Sequence, residues 1–259
     1  MIKVMSFNIR YGLANDGENH WHKRKSLALA RIEAFAPDLL GLQECRDDEQ
    51  ADFIRAGLPD YHFFGVHREG PGDTSLEMAP LLFRRESFRL VESGCFWLSE
   101  TPDIPGSMSW GAAYPRTVSW AKLSCKDTGV EFLYVNTHFD YEPAAIDGDA
   151  RCLRQWIEQL NPQLPLIITG DFNGDKHSDA FGILTGKEDL FDAFRRFRPQ
   201  EEDESTFHAF GRPEHMMPID WMLISGHFKV LAAQIDRTYQ GNLYPSDHYP
   251  ITAVLDWEK

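Results

Sequence analysis

Long apolar runs are missing from this sequence. No uncharged stretch approaches the ~18 residues that cross a bilayer, so no membrane span is readable. The N-terminal MIKVMSFNIR lacks the ~7–15-residue apolar core of a secretory leader, which points to a cytoplasmic protein. Cysteine is scarce. Cys45, Cys95, Cys125 and Cys152 are the only four, and no two stand at CxxC spacing. Neither a zinc clip nor a redox pair is indicated, and the four read as buried thiols in a reducing compartment. Basic charge is short, with 26 Lys and Arg against 40 Asp and Glu, a net −14. Such a chain is repelled at long range by phosphate polymers, so extended nucleic acid is a poor partner. A basic patch interleaved with aromatics, the mark of single-strand binding, is also absent. A small anionic substrate stays compatible if a metal or local arginines handle the phosphate.

Repeats and composition breaks are absent too, which predicts one domain over 1–259. A chain this long buries roughly 73% of its extended surface, enough for a core without disulfide staples. Its 42% hydrophobic and 25% charged residues exclude wholesale disorder.

What is present is interleaved strand and helix patterning. Residues 2–9 alternate and predict a strand, 22–35 a helix ended by Pro37, and 39–44 (LLGLQE) a short buried strand. A helix over 47–57 closed by Gly57 follows, then strands over 61–66, 80–84 and 88–98. Residues 99–116 are rich in Pro, Gly and Ser and long for a connection, which predicts a functional or mobile loop. A hairpin is expected from 118–125 and 130–138, then a helix over 144–160 fenced off by Pro162 and Pro165, then an apolar strand over 164–171. Short helices are expected over 178–185 and 189–197, and strands over 205–208, 219–225, 228–236 and 250–256. EEDE (201–204) reads as a solvated loop, and Arg195, Arg196 and Arg198 as cations at a helix C-terminus. The pattern predicts mixed sheets in an α/β or α+β layered fold.

Apolar strands in this chain finish in small polar clusters. The first ends at Asn8, the second at Gln43 and Glu44, and FLYVNTHFD at His138 and Asp140. The 164–171 strand runs into Asp171 and Asn173, the 219–225 strand contains Asp220, and Ser246, Asp247 and His248 precede the last strand. Taken singly, these are ordinary residues: turn asparagines, loop acids, satisfied histidines. As a set on strand edges, they can converge on one ligand pocket.

In chain order, SFNIRYG (6–12), GLQE (41–44), NTHFD (136–140), TGDFN (169–173), IDWMLIS (219–225) and SDHYPI (246–251) resemble the endonuclease/exonuclease/phosphatase superfamily of metal-dependent phosphohydrolases. GDFN with a downstream SDHxP is the specific combination. FWLSETPD (96–103) and AAYPR (112–116) further resemble a bacterial subgroup of unassigned substrate. The resemblance implies a four-layer sandwich, two packed mixed β-sheets flanked by helices. It also implies roles. Glu44 is the principal metal ligand, with Asn8 close by and Asp247 as a second ligand or orienting acid. Asp171 orients or deprotonates water. Asn173 holds a phosphoryl oxygen, and His248, paired with Asp220, contacts the phosphate or the nucleophile. His138 donates to a non-bridging oxygen, and Arg116 clamps the phosphate beside Asp140.

Four converging carboxylates need a partner. Two bare ones ~4 Å apart repel by about 4 kcal/mol at an effective dielectric of ~20. Oxygen ligands suit Mg²⁺, or Mn²⁺, while zinc wants more His or Cys. Trp97 and Trp110 read first as packing residues, and otherwise as pocket walls with Glu77, Phe207 and His208. The expected function is divalent-metal-dependent hydrolysis of a small phosphate ester, with monoester and diester both open. The alternatives are a nuclease for short or single-stranded nucleic acid, a non-catalytic phosphoryl-binding relative, and a glycosidase using Glu44 and Asp171. Oligomeric state is not readable.

Overall fold

The first strand faces two ways. β1 (Ile2–Asn8) turns Ile2 and Val4 into one apolar cluster and Met5 and Phe7 into another, since successive strand side chains point to opposite faces. The computed structural model describes residues 1–161 and 163–258. Pro162, read as a fence behind the long helix, lies outside the described residues. After β1 come α1 (Trp21–Phe35), β2 (Leu39–Gln43), β3 (Cys45–Arg46), α2 (Glu49–Gly57), β4 (Tyr61–Phe64), β5 (Glu77–Met78), β6 (Leu81–Arg84) and β7 (Phe88–Trp97). Then follow β8 (Thr117–Cys125), β9 (Glu131–His138), α3 (Pro143–Glu158), β10 (Leu166–Asp171), α4 (Asp179–Thr185), β11 (Leu190–Asp192), α5 (Ala193–Phe197), β12 (Asp220–Ser225), β13 (Phe228–Ile235) and β14 (Ile251–Trp257).

Two six-stranded sheets result, in orders β13-β14-β1-β2-β6-β4 and β11-β12-β10-β9-β8-β7. β1 and β2 are parallel, as are β9 and β10. Each parallel pair is bridged by a helix, α1 or α3, the long crossover such neighbours require. The inner faces of both sheets form one apolar cluster, including Val4, Phe83, Phe132, Ile167 and Leu255. α1 and α2 cover the outer face of the first sheet, and α3 and α4 that of the second. The mixed-sheet, four-layer sandwich is therefore the observed fold.

Some local expectations change. Residues 189–197 are not one helix. Leu190–Asp192 pairs with β12 as an edge strand, and α5 starts only where Asp192 Oδ1 accepts the Arg195 amide at 2.8 Å. Residues 205–208 form no strand, because Phe207 alone bridges to Met217 and His248. The ribbon of β3 and β5 carries no periodicity and was not anticipated. All four cysteines are free, but only Cys45 and Cys125 are buried, while Cys95 and Cys152 are half-buried. Among the described residues no helix is long and apolar enough to cross a membrane.

Toward one end of the sandwich the inward positions turn polar. β1 runs Ile2, Val4, Ser6, Asn8; β9 runs Phe132, Tyr134, Asn136, His138; β10 runs Ile167, Thr169, Asp171. Gln43 Nε2 donates to Ser6 Oγ at 3.1 Å and, across the sheets, to Asn136 Oδ1 at 2.7 Å. Asn136 Nδ2 donates back to the carbonyls of Leu42 and Pro80 at 2.7 and 2.9 Å. Thr169 Oγ1 donates to Asn136 Oδ1 at 3.0 Å. Gly41 leaves room for this layer, since a Cβ there would fall 2.2 Å from Asn136 Oδ1 and 2.3 Å from Thr169 Oγ1.

On α3, Asp149 Oδ2 accepts the Asp140 amide at 2.9 Å, while its buried Oδ1 has no partner. Burial pushes this carboxyl up to about 8, against the Asp140 amide and Arg116. The folded protein therefore keeps a proton that the unfolded chain releases near ~3.9, and stability declines as pH rises from ~4 toward 8.

Three substitutions test this packing. Gly41→Ala should cost about 3 kcal/mol in chemical denaturation, by overpacking and by breaking buried hydrogen bonds. Gly182→Ala, in α4 with nothing within 4 Å of a new Cβ, should instead gain about 0.5–1 kcal/mol. Asp149→Asn keeps the acceptor for Asp140 and removes the titration. Its thermal midpoint should exceed the parent's at pH 8 by roughly 3–6 °C and fall less between pH 5 and 8.

Candidate active site

The polar ends of six segments meet at one edge of the sandwich. Asn8 closes β1, and Glu44 follows β2. Asp171 lies opposite His138 of β9 on one side and Asp220 of β12 on the other, so strand register sets these three side by side. Asp247 and His248 arrive on the segment that enters β14. Arg10, Glu44 and Asn173 take left-handed backbone, with φ of 56°, 57° and 50°. That conformation is uncommon outside glycine, and such strain gathers at functional sites.

Asn8 joins the two sheets here. Its Nδ2 donates to Glu44 Oε1 at 3.0 Å and to Asp171 Oδ2 at 2.9 Å, while its Oδ1 accepts the Arg10 amide at 2.9 Å. Glu44 Oε2 accepts the Tyr11 amide at 2.9 Å, with Arg10 Nη1 at 3.8 Å. Ligand atoms of Glu44, Asp171 and His248 all lie within 4.8 Å of one another. His248 Nδ1 contacts Asp220 Oδ2 at 2.9 Å, which leaves Nε2 toward Asp171 Oδ2 at 3.6 Å. His138 Nε2 stands 3.6 Å from the same Asp171 oxygen, and its Nδ1 3.8 Å from Glu77 Oε1. Asp171 Oδ1 accepts the Asn173 amide at 3.0 Å, and Asn173 Nδ2 donates to the Phe139 carbonyl at 2.8 Å. Arg116 Nε donates to the buried Asp140 at 3.3 Å. Asp247 Oδ1 accepts from Ser246 Oγ at 3.1 Å, and its Oδ2 lies 3.5 Å from Arg10 Nε.

Burial and charge divide these groups. For Glu44, burial opposes ionisation, but Arg10 and the Asn8 and Tyr11 donors outweigh it and hold the carboxyl below its usual range. Burial raises Asp171, with Asp220 adding to it, and burial likewise raises Asp247. Burial alone would lower His248, yet Asp220, Asp171 and Asp247 together push it up, so the ring is an imidazolium at neutral pH. His138 has no close charge-assisted bond, and burial, Arg116, Arg68 and His248 drive it well below its ordinary value, so it is neutral. Two buried imidazoles in one site therefore carry different charge.

These residues line or back an open cleft of about 960 Å³. Glu44, Arg116, His138, Asp171, Asp247 and His248 reach its surface, as does Asn173. Asn8, Asp140 and Asp220 sit behind it through the hydrogen bonds above. Of the expected walls, Glu77 and Phe207 line the cleft. His208 does not. It is buried, stacks on Tyr249 at 3.8 Å between centroids and accepts the Gly211 amide at 3.0 Å. Trp97 is buried with Nε1 donating to the Arg68 carbonyl at 2.6 Å, and Trp110 packs on Gly148 of α3. Their packing reading holds.

Sequence reasoning assigned no role to Arg10, Tyr11, Arg68, Tyr114, Tyr141 or Arg212, which all face the cleft. Arg10, Tyr11 and Tyr114 stand within or beside the quoted strings, and that adjacency was a usable signal. Arg68 lies in a loop with no periodicity, brought in by the pairing of β5 with β3.

The Endonuclease/Exonuclease/phosphatase family model matches residues 5–248. An endonuclease/exonuclease/phosphatase structure from Bacteroides vulgatus is 34% identical, with a TM-score of 0.89 over 99% of both chains. A mannosyl-6-phosphatase from Bacteroides thetaiotaomicron is 30% identical, with a TM-score of 0.87 over 99% of this chain and 100% of that one. Rat nocturnin is 23% identical over 96% of this chain, which spans only 63% of nocturnin's length. The family match thus runs from the first strand to the SDHYPI string, and the chain belongs to the endonuclease/exonuclease/phosphatase family.

Proposed function

We propose that this chain is a divalent-metal-dependent phosphoesterase acting on a small phosphorylated substrate. One observation carries the reading: the Asn8 amide brings a carboxylate from each sheet together, inside a cluster that includes an Asp220-paired imidazolium. Family membership supports phosphoester hydrolysis in general. The name of the mannosyl-6-phosphatase relative supports a phosphorylated sugar. The net charge of −14 favours a small substrate over a nucleic-acid polymer. We place the protein in the cytoplasm on its four free cysteines.

The donor set fits a hard divalent ion. Glu44 is ionised, partly exposed to the cleft and beside a second carboxylate, and Asp247 lies near Glu44 through Arg10. Such oxygen ligands suit Mg²⁺ or Mn²⁺, held by Glu44 with Asp247 as a second acid. When bound, the ion neutralises phosphoryl charge and eases departure of the ester oxygen. The protein's own groups do the rest. Asn8 keeps Glu44 and Asp171 aligned. Asp171 orients the attacking water and takes its proton, helped by a proton affinity that burial has raised. His248, charged by Asp220, donates Nε2–H to a phosphoryl oxygen. Neutral His138 donates to another, and Asn173 holds a third position at the rim. Arg116, fixed by Asp140, clamps the phosphate.

With p-nitrophenyl phosphate and bis-p-nitrophenyl phosphate as probes, EDTA should abolish hydrolysis, and Mg²⁺ or Mn²⁺ should restore it. Asp171→Asn and His248→Ala should each lose roughly 10²–10⁴-fold in kcat. Full activity in either purified variant would count decisively against the reading. Asp220→Asn should move the alkaline limb of the kcat/KM profile to lower pH, because Asp220 is the leading charge that keeps His248 protonated.

A further inference from the structure

Four arginines are buried among the described residues: Arg24, Arg68, Arg116 and Arg154. A guanidinium has five N–H donors, and a buried one whose donors go unused is costly unless something else binds there. Arg24 uses four of them, to the carbonyls of Asn19, Ile9, Pro245 and Arg10. Arg154 also uses four, to Glu158, twice to Asp189 and to the Leu184 carbonyl. Arg68 and Arg116 differ. Arg68 makes one bond, Nη1 to Glu77 Oε1 at 2.7 Å, and its buried Nε has no partner. Arg116 makes one, Nε to Asp140 Oδ2, and its buried Nη1 has no partner. The two arginines with a single bond face the cleft, and the two with four bonds lie outside it.

The two guanidinium groups also share neighbours. The Tyr114 ring lies 4.4 Å from Arg68 Cζ and 5.7 Å from Arg116 Cζ. A second, small cavity is lined by Arg68, Glu77, Arg116 and His138 together. His138 is in turn 3.6 Å from Asp171, so both arginines share a cavity with a histidine that stands beside the candidate catalytic acid. Arg68 is firmly held, with its amide donating to the Glu77 carbonyl and its own carbonyl accepting from Trp97 Nε1.

We propose that Arg68 is a second phosphate-binding arginine, working with Arg116 on the terminal oxygens of a phosphomonoester dianion. This rests on the phosphoesterase reading and narrows it to monoesters. A monoester presents three terminal oxygens and a double charge, whereas a diester presents two and a single charge. Two planar forks match the first and exceed the needs of the second. In the reaction, the water oxygen bonds phosphorus as the ester P–O bond breaks. One water proton passes through Asp171 to the departing alcohol, and the other stays on the released phosphate.

The test compares wild type, Arg68→Gln and Arg68→Lys, with Mg²⁺, on p-nitrophenyl phosphate and on bis-p-nitrophenyl phosphate. Arg68→Gln should lower kcat/KM for the monoester by about 30- to 100-fold and weaken inhibition by inorganic phosphate by about tenfold or more. The loss on the diester should be at least about ten times smaller. Arg68→Lys keeps the charge against Glu77 but lacks the fork, so it should show the same split at smaller size, and it serves if Arg68→Gln does not fold. Equal losses on both esters, or no loss on the monoester, would overturn the role of Arg68. A wild type that cleaves only the diester would overturn the monoester assignment and leave the phosphoesterase reading standing. A wild type inert to both with Mg²⁺ and Mn²⁺ would bring down both.

Discussion

One asparagine amide holds a carboxylate of each sheet in contact. Asn8 reaches Glu44 within its own sheet and Asp171 across the sandwich, so the site exists only while the two inward faces stay aligned. The alignment is secured one layer deeper. Gln43, Asn136 and Thr169 exchange hydrogen bonds between the sheets, and Gly41 supplies the space. Such a buried polar layer is unforgiving, because a donor or acceptor left unpaired in low dielectric costs more than a satisfied one contributes. It specifies register in a way that an all-apolar interface would not.

Above that layer the protein collects like charges. Glu44, Asp171, Asp220 and Asp247 crowd one end of a chain that is already acidic. Buried carboxylates are tolerated only when paired and hydrogen-bonded. Here the compensation comes from His248, which faces three of them, and from Arg10, which faces Glu44, Asp247 and Asp16. The same cleft is also lined by Arg68 and Arg116, each matched to a single acid. It thus combines carboxylates that suit a metal ion with arginines that suit phosphate oxygens. Net charge alone says little about this combination.

Much of this was legible along the chain. Strand alternation was readable in β1, β9 and β10, and their polar ends marked Asn8, His138 and Asp171. The proline and glycine of 99–116 marked a connection without regular elements. Less legible were the short pieces. Leu190–Asp192 is three residues long and merges by pattern into the helix after it, and β3 with β5 spans two residues each. His208 shows the converse error, since a histidine near a motif is equally suited to stacking on Tyr249.

The sequence by itself determined which residues line up on each strand face, because a period of two is a local property of the backbone. It also determined the chemical types at the strand ends, and their order identified the family. Tertiary structure alone decided the charge on each histidine, since His138 and His248 differ only in the acids and arginines that packing sets around them. It decided that Arg68 stands beside Arg116, through a two-residue ribbon with no periodic signal. It decided too which buried arginines have most of their donors engaged and which keep most of them free. That depends on distances between segments far apart in the chain, and no local pattern records those distances.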